Sequence, residues 1–347
     1  MSVKPRRIEL NYLRVFLCML IITTHILTEY AVSNEPDDFQ IKVLYWIRMI
    51  VIVGTPGFII LSQLLVTLNY KETLPRNYLI SRVQFILLPY LVMGMFYSYS
   101  ESEDRNISFM SQFYENIILG NWYGYFVIVI MQFYLLNYLI YKINPAILGS
   151  KLALILSIIV NAVYLYAYEF VEPVKTFMDA HYPISFNTFI LGWISYYFIG
   201  SYIGLNYDAI LEFLEKHLTL LLVGTVLSFL LFIFGREHDY WNVTSYNFAT
   251  ILYTACLFLL LIKFSTIFKT FMANTVAQVS AYSFFIYLLH PIILDAIFSY
   301  TQRFQGHTLI FIPITLLIVI GCCIGIGSVL KEFPIFKYVM GKQPYRL

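Results

Sequence analysis

Long apolar runs separated by short polar connections extend over almost the whole chain. Each run has about 20 residues, the length that a helix needs to cross the hydrocarbon core of a bilayer. Transmembrane helices are predicted at 8–28, 43–68, 76–98, 117–141, 151–170, 187–205, 219–235, 246–263, 276–299 and 309–331. The pattern therefore predicts an all-α, polytopic membrane bundle of about ten helices, with residues 1–347 in a single transmembrane domain.

The distribution of basic residues predicts the orientation of these helices. When the loops are assigned alternately to the two sides, one side holds fifteen Lys and Arg residues and the other holds five. Basic residues accumulate in cytoplasmic loops, so both termini are predicted to be cytoplasmic. In this orientation the first helix runs outward.

Composition supports a protein of the lipid bilayer and excludes other classes. Of the 347 residues, 60% are hydrophobic and 12% are charged, whereas a soluble domain has about 25% charged residues. The net charge of +2 is too small to indicate a nucleic-acid partner. The four cysteines form no CxxC motif or Cys/His cluster, so no bound metal is expected. The P-loop and HExxH motifs are also missing.

Two polar side chains in the first predicted helix are the strongest indication of function. Arg14 and His25 are eleven residues apart, so both leave one helix face, about 16 Å apart along its axis. His25 fits a general base that takes a proton from a sugar hydroxyl, and Arg14 fits a phosphate ligand. The alternatives are a hydrogen-bonded packing histidine and an arginine that reaches the headgroups.

Further polar residues are predicted at two depths of the bundle. The outer half is predicted to hold four polar side chains from three helices: His25, Arg48, His290 and Asp295. The inner edge is predicted to hold Glu9, Arg14 and Arg82. Asp295 is predicted to pair with Arg48 or His290, either as a catalytic group or as a plain interhelical ion pair.

The ninth predicted helix places other polar groups beside His290. Ser283 and Tyr287 precede His290 by seven and three residues, hence lie on its face. Pro291 is expected to free a carbonyl in the preceding turn and to bend the helix. The segment therefore predicts either a reactive histidine or a structural kink with a hydrogen-bonded one.

Glycines interrupt two other predicted helices. Residues 54–57 read Gly-Thr-Pro-Gly near the middle of the second helix. Such a break either lines a cavity or allows close helix packing. Gly321, Gly325 and Gly327 are predicted to form a packing face on the tenth helix.

In combination, these segments resemble the membrane acyltransferase-3 family, whose members attach acyl groups to extracytoplasmic sugars. The resemblance is carried by Arg14 with His25, by residues 54–62, by Arg82 with the following Pro89, and by residues 283–291. It implies that Arg14 helps to hold an acyl donor of the acyl-CoA type, with no other cofactor, and that His25 acts at the transfer site.

These arguments give three predicted sets of site residues. The predicted catalytic residues are His25, His290 and Asp295. The predicted donor-binding residues are Arg14, Arg82 and Glu9. The predicted substrate path includes Arg48, Trp122, Ser283 and Tyr287. One departure from the family concerns Trp122: many O-acetylating members have acidic residues after this tryptophan, but this chain has none before Gln132. The enzymatic interpretation is weaker without that acid, or the acyl donor is different.

Within the family, the chain is most similar to a group associated with the biofilm polysaccharide poly-β-1,6-N-acetylglucosamine and described as its exporter. We therefore predict a multi-pass protein of the bacterial cell membrane that exports this polymer, O-acylates it (a succinyl group is one candidate), or both. Aromatic residues, 18% of the chain, suit a sugar passage because pyranose rings pack on aromatic faces. A membrane-bound polysaccharide synthase is the expected partner, and a non-catalytic subunit that stabilises this synthase is the alternative.

Overall fold

The computed structural model describes residues 7–181, 187–234, 239–304 and 306–346. In these ranges the ordered elements are all helical, which confirms the predicted fold class. The α-helices are α1 (Glu9–Ser33), α2 (Asp38–Val51), α3 (Gly54–Asn69), α4 (Tyr78–Arg82), α5 (Leu88–Arg105), α6 (Phe109–Phe113), α7 (Tyr125–Ile143), α8 (Lys151–Phe170), α9 (Glu172–Ala180), α10 (Ile194–Leu205), α11 (Tyr207–Lys216), α12 (Leu218–Ile233), α13 (Thr250–Ile267), α14 (Ala273–Ala296), α15 (Phe298–Thr301), α16 (Thr308–Lys331) and α17 (Lys337–Met340). Two π-helical turns are present, Val83–Leu87 and Tyr114–Ile118.

Eight helical segments in the described part of the chain are long and apolar enough to cross a membrane. Helices α11 and α12 meet the criterion only together and are bent by 93° at their junction, so they form either a ninth, broken span or a re-entrant loop. All ten predicted segments contain helix, but α10 has only 12 residues because it follows a 3-10 turn at Ile190–Gly192. The chain is therefore a multi-pass membrane protein, with eight or nine spans by this criterion.

The first helix lies inside the bundle and organises it. α1 packs against α2, α3, α13, α14 and α16, and its longest contact is with α14. Its apolar side chains Leu13, Leu17, Ile22 and Leu27 are almost completely buried. Because α1 and α14 are in contact along much of their length, polar groups on the two helices come together at more than one depth.

The break between α2 and α3 is a site of close packing. A Cβ atom on Gly54 would lie 2.7 Å from Cγ1 of Ile21, and one on Gly57 would lie 2.5 Å from Cδ2 of Leu17. The glycines therefore let α3 approach α1, as the packing alternative requires. None of residues 54–57 lines the cavity described below, although Phe58 and Ser62 of the same helix do, so the break itself serves packing.

The predicted glycine packing face on α16 is wrong at two of its three positions. A Cβ atom on Gly327 would lie 2.7 Å from the Tyr282 ring of α14. No described atom lies within 4 Å of the corresponding position on Gly321 or Gly325. Those two glycines point away from the bundle, since α16 packs on α14 through its other face.

Backbone contact between α3 and α10 makes Gly204 sensitive to substitution. A Cβ atom there would lie 2.5 Å from the carbonyl oxygen of Leu64, which cannot move without shifting α3. We expect Gly204→Ala to lower the free energy of unfolding by about 2 kcal/mol, measured by thermal unfolding in detergent. Gly224→Ala is the matched control because its Cβ would meet no atom within 4 Å. Equal stability of the two variants would contradict this account.

Candidate functional site

The structure places Arg14 and His25 on one face of α1, as the spacing predicts. Arg14 donates a hydrogen bond from Nη1 to Oγ of Ser280, at 3.0 Å. The ring centroid of His25 lies 4.9 Å from that of His290. Both partners belong to α14, so both polar groups of α1 point into the same helix interface.

Pro291 leaves a carbonyl open that decides which nitrogen of the His290 ring carries the proton. A proline cannot donate to the carbonyl of Tyr287, and His290 Nδ1 occupies that place at 2.8 Å, with the Ile286 carbonyl at 3.0 Å. Because a carbonyl oxygen only accepts, Nδ1 carries the proton and a neutral ring has its lone pair at Nε2. His290 is fully buried, and its Nε2 has no hydrogen-bond partner in the part of the chain that the structure describes.

Two tyrosines that the sequence did not indicate contact the backbone of α14 beside Pro291. Tyr123 donates from its hydroxyl to the Leu288 carbonyl at 3.1 Å, and the Tyr97 hydroxyl accepts the N–H of Ile292 at 2.9 Å. Two backbone groups beside the proline, the Leu288 carbonyl and the Ile292 N–H, are therefore bonded by side chains from the turn before α7 and from α5.

The Tyr123 ring also borders both imidazoles. Its centroid lies 6.2 Å from that of His25 and 5.9 Å from that of His290, edge to face in both cases. Tyr287 donates from its hydroxyl to the Tyr123 carbonyl at 2.7 Å. The only sequence signal for Tyr123 is its place directly after Trp122, because no spacing relates residue 123 to α14.

A cavity of 390 Å³ lies between α1, α3, α7, α14, the first π-helical turn and the C-terminal residues. Its cationic lining residues are Arg14, Arg82 and Lys342, and no described Asp or Glu lines it. At its other end it reaches Ile21 and Tyr287, each about one helical turn before a histidine of the pair. The volume is typical of a small-molecule site.

Aromatic rings fix the position of Arg82. Its guanidinium carbon lies 4.8 Å from the ring centroids of both Tyr78 and Tyr134. Cation–π contacts of this kind hold the guanidinium plane without neutralising its charge. The Nε atom of Arg82 is buried and has no described hydrogen-bond partner. The geometry can therefore present an uncompensated cation to an anionic ligand.

Comparison with known proteins assigns the family. The model of the acyltransferase domain matches residues 7–327. The chain belongs to the acyltransferase-3 family. Over 345 residues it is 51% identical to the "probable poly-beta-1,6-N-acetyl-D-glucosamine export protein" of Staphylococcus epidermidis, covering 99% of this chain and 97% of the relative. The protein of the same name from Staphylococcus aureus strain MRSA252 is 48% identical, with 99% and 98% covered. No solved structure matches the chain significantly.

Six of the ten predicted site residues do not line the cavity: Glu9, His25, Arg48, Trp122, His290 and Asp295. Glu9 accepts a hydrogen bond from the Tyr207 hydroxyl at 3.4 Å and lies 4.0 Å from Arg7. Trp122 is buried and donates from its indole nitrogen to the Tyr90 hydroxyl at 3.1 Å. Both side chains thus contact protein groups. Ser283 and Tyr287, by contrast, line the cavity.

The predicted pairing of Asp295 with Arg48 or His290 is wrong. Arg48 donates to the hydroxyls of Thr28 and Tyr240, at 2.8 Å and 3.2 Å, and to a backbone carbonyl. Asp295 is exposed, and a five-residue step places it about 140° around the helix from His290. It therefore stands apart from the histidine pair of this acyltransferase-3 member.

Proposed function

We propose that this protein of the bacterial cell membrane O-acylates poly-β-1,6-N-acetylglucosamine during its passage out of the cell. The observation that carries the proposal is a cavity lined by three cations and by no described carboxylate, whose lining residues Ile21 and Tyr287 each precede one of two neighbouring imidazoles by one helical turn. A cavity of 390 Å³ suits an acyl donor better than a polymer. The relatives' names support the choice of acceptor.

The cavity chemistry fits a coenzyme A thioester as donor. Arginine binds phosphate through paired N–H donors, and an exposed lysine adds a point charge. Arg82 and Lys342 mark the end that the basic-residue distribution predicts to be cytoplasmic, where such thioesters are available. Arg14 lies farther along the cavity, toward Ser280 and the histidine pair. The phosphates would be held by cations while the acyl end points to His25.

The proposed reaction is an acyl transfer from sulfur to oxygen. His25 takes the proton of a sugar hydroxyl while that oxygen bonds to the thioester carbonyl carbon. The carbon–sulfur bond breaks, and the coenzyme A thiolate leaves and takes up the proton. His290, with its proton fixed on Nδ1, offers Nε2 to accept a hydrogen bond from the charged His25 ring. This is the role that an orienting partner has in other base-assisted transfers.

Polymer export is the second candidate, since the relatives are named as export proteins. In either case a membrane-bound polysaccharide synthase would supply the polymer, and we propose it as a partner. If the protein is an acyltransferase, another protein can transport the polymer across the membrane. If it is an exporter, this chain itself must form the passage for the polymer.

Chemical analysis of the polysaccharide separates the two candidates. In cells that lack this chain, we expect polymer to reach the surface in near-normal amount but without ester-linked acyl groups. The measurement is acyl groups released by mild alkali per sugar, together with polymer recovered from the surface and from the cell interior. Surface polymer with unchanged acyl content would refute acyl transfer, whereas polymer retained inside would establish the export role.

A further inference from the structure

The C-terminal residues form part of the cavity wall. After α17 the chain turns at Gly341, whose φ is +81°, a value that favours glycine. A Cβ atom there would also lie 3.1 Å from the Phe284 ring and 3.3 Å from the Phe85 carbonyl oxygen. This turn places Gly341, Lys342 and Gln343 among the residues that line the cavity.

The same residues are anchored on the π-helical turn that follows Arg82. The Tyr338 ring stacks on Phe85, with 5.7 Å between centroids and 7° between planes. Lys342 places Nζ 5.3 Å from the centroid of the same Phe85 ring. Single π-helical turns inside helices are frequent at functional sites. Here the turn follows Arg82 directly and contains Phe85, the ring that Lys342 contacts.

Among the described residues, no carboxylate that lines the cavity neutralises its cations. Arg14, Arg82 and Lys342 form no ion pair with any carboxylate in the described ranges. The Nε atom of the partly buried Arg82 also has no hydrogen-bond partner in the part of the chain that the structure describes. Charged groups that are removed from water without a partner are unfavourable, so this arrangement favours an anionic ligand with more than one charge.

We propose that Lys342 is a donor-binding residue and that residues 341–343 complete the phosphate site of the cavity. This inference rests on the proposed acyl-donor function and adds a residue to it. Lys342 is exposed at the mouth, so it contacts the phosphate-bearing end of the donor. The acyl end then lies at the opposite end of the cavity, near Tyr287.

The test is coenzyme A binding to the purified full-length chain in phosphatidylcholine nanodiscs, measured by calorimetry. Lys342→Ala is expected to weaken binding about tenfold, the effect of one lost charge-assisted contact, and Lys342→Arg is expected to restore most of it. Lys337→Ala is the matched control. Lys337 belongs to the same C-terminal segment, but it lies over the Tyr338 ring and does not line the cavity.

Each other outcome counts against the inference in a distinct way. Wild-type binding with an unchanged Lys342→Ala variant overturns the role of Lys342 and leaves the proposed function intact. No coenzyme A binding by the wild-type chain overturns both. Equal losses in Lys337→Ala, or a lowered unfolding temperature of Lys342→Ala, would assign Lys342 to packing of the segment. Displacement of coenzyme A by phosphatidylglycerol would assign it to a lipid headgroup instead.

Discussion

Replacement of His25 by Ala is expected to reduce acylation of the polysaccharide to about 1% of the wild-type level or less, because a positioned general base contributes about 10²–10⁴-fold. Polymer should still reach the surface, since the substitution removes the base and leaves the bundle in place. The measurement is alkali-released acyl groups per sugar in cells that carry the variant, with the amount of chain in the membrane determined in parallel.

We expect that the neighbouring histidine does not replace the lost base. The lone pair of His290 Nε2 has no described partner, but the ring is fully buried, so a sugar hydroxyl does not reach it. Loss of His25 therefore removes the imidazole that is both half-buried and free of described hydrogen bonds. An acyl content close to normal in His25→Ala would mean that the two rings serve packing alone.

Thr24→Ala is a suitable control for this experiment. Thr24 is adjacent to His25 on α1, and its hydroxyl donates to the carbonyl of Leu20 within the same helix. Its loss should leave acylation within about twofold of wild type, since such local hydrogen bonds contribute little to tertiary structure. If both variants lose surface polymer together with acyl groups, the defect lies in export or folding.

The fold and the shared helix face of Arg14 and His25 could be predicted from the sequence, because each depends on a regular spacing of residues within one segment. Apolar runs of about 20 residues define spans, and an eleven-residue step returns to the same helix face. The open carbonyl one turn before Pro291 was also predictable, since a proline always removes one N–H donor from the hydrogen bonds of a helix. His290 uses the carbonyl that this leaves open.

What could not be predicted depends on contacts between distant segments. Tyr97 and Tyr123 bond backbone groups of α14 that are more than 160 positions away along the chain, and Lys342 lines the cavity after a turn at Gly341. The short α10 has a similar origin, because hydropathy cannot show that Gly192 packs against the Tyr246 ring in a 3-10 turn.

The pairing proposed for Asp295 failed for a reason that was visible in the sequence. Proximity along the chain suggested a partner for His290, but a five-residue step turns about 140° around a helix. Arg48 was also assigned to this site from its predicted depth in the membrane alone, without considering which face of its helix carries the side chain. Its guanidinium lies 4.8 Å from the centroid of the Tyr240 ring and bonds the hydroxyls of Thr28 and Tyr240, so it pairs with neither Asp295 nor His290. Depth and face must both agree before two membrane residues are assigned to one site.

Arg14→Ala is expected to weaken the affinity for a coenzyme A thioester about 100-fold, as expected when hydrogen bonds from a charged group to phosphate are lost. The donor affinity of Arg14→Lys should lie between those of the wild type and Arg14→Ala, because lysine keeps the charge but lacks the planar guanidinium with its paired donors. The measurement is the donor concentration dependence of acyl transfer by the purified chain in nanodiscs.

Two controls separate donor binding from structural effects. Ser280→Ala removes the hydrogen-bond partner of Arg14 while keeping the charge, so a smaller loss of affinity is expected. Arg48→Ala removes a guanidinium held by Thr28 and Tyr240 outside the cavity, so donor affinity should not change. If Arg14→Ala lowered the turnover rate at saturating donor and left donor affinity intact, Arg14 would act on the transferring acyl group instead. The cavity would then bind its donor through Arg82 and Lys342 alone, and the guanidinium and imidazole of α1 would serve the same chemical step.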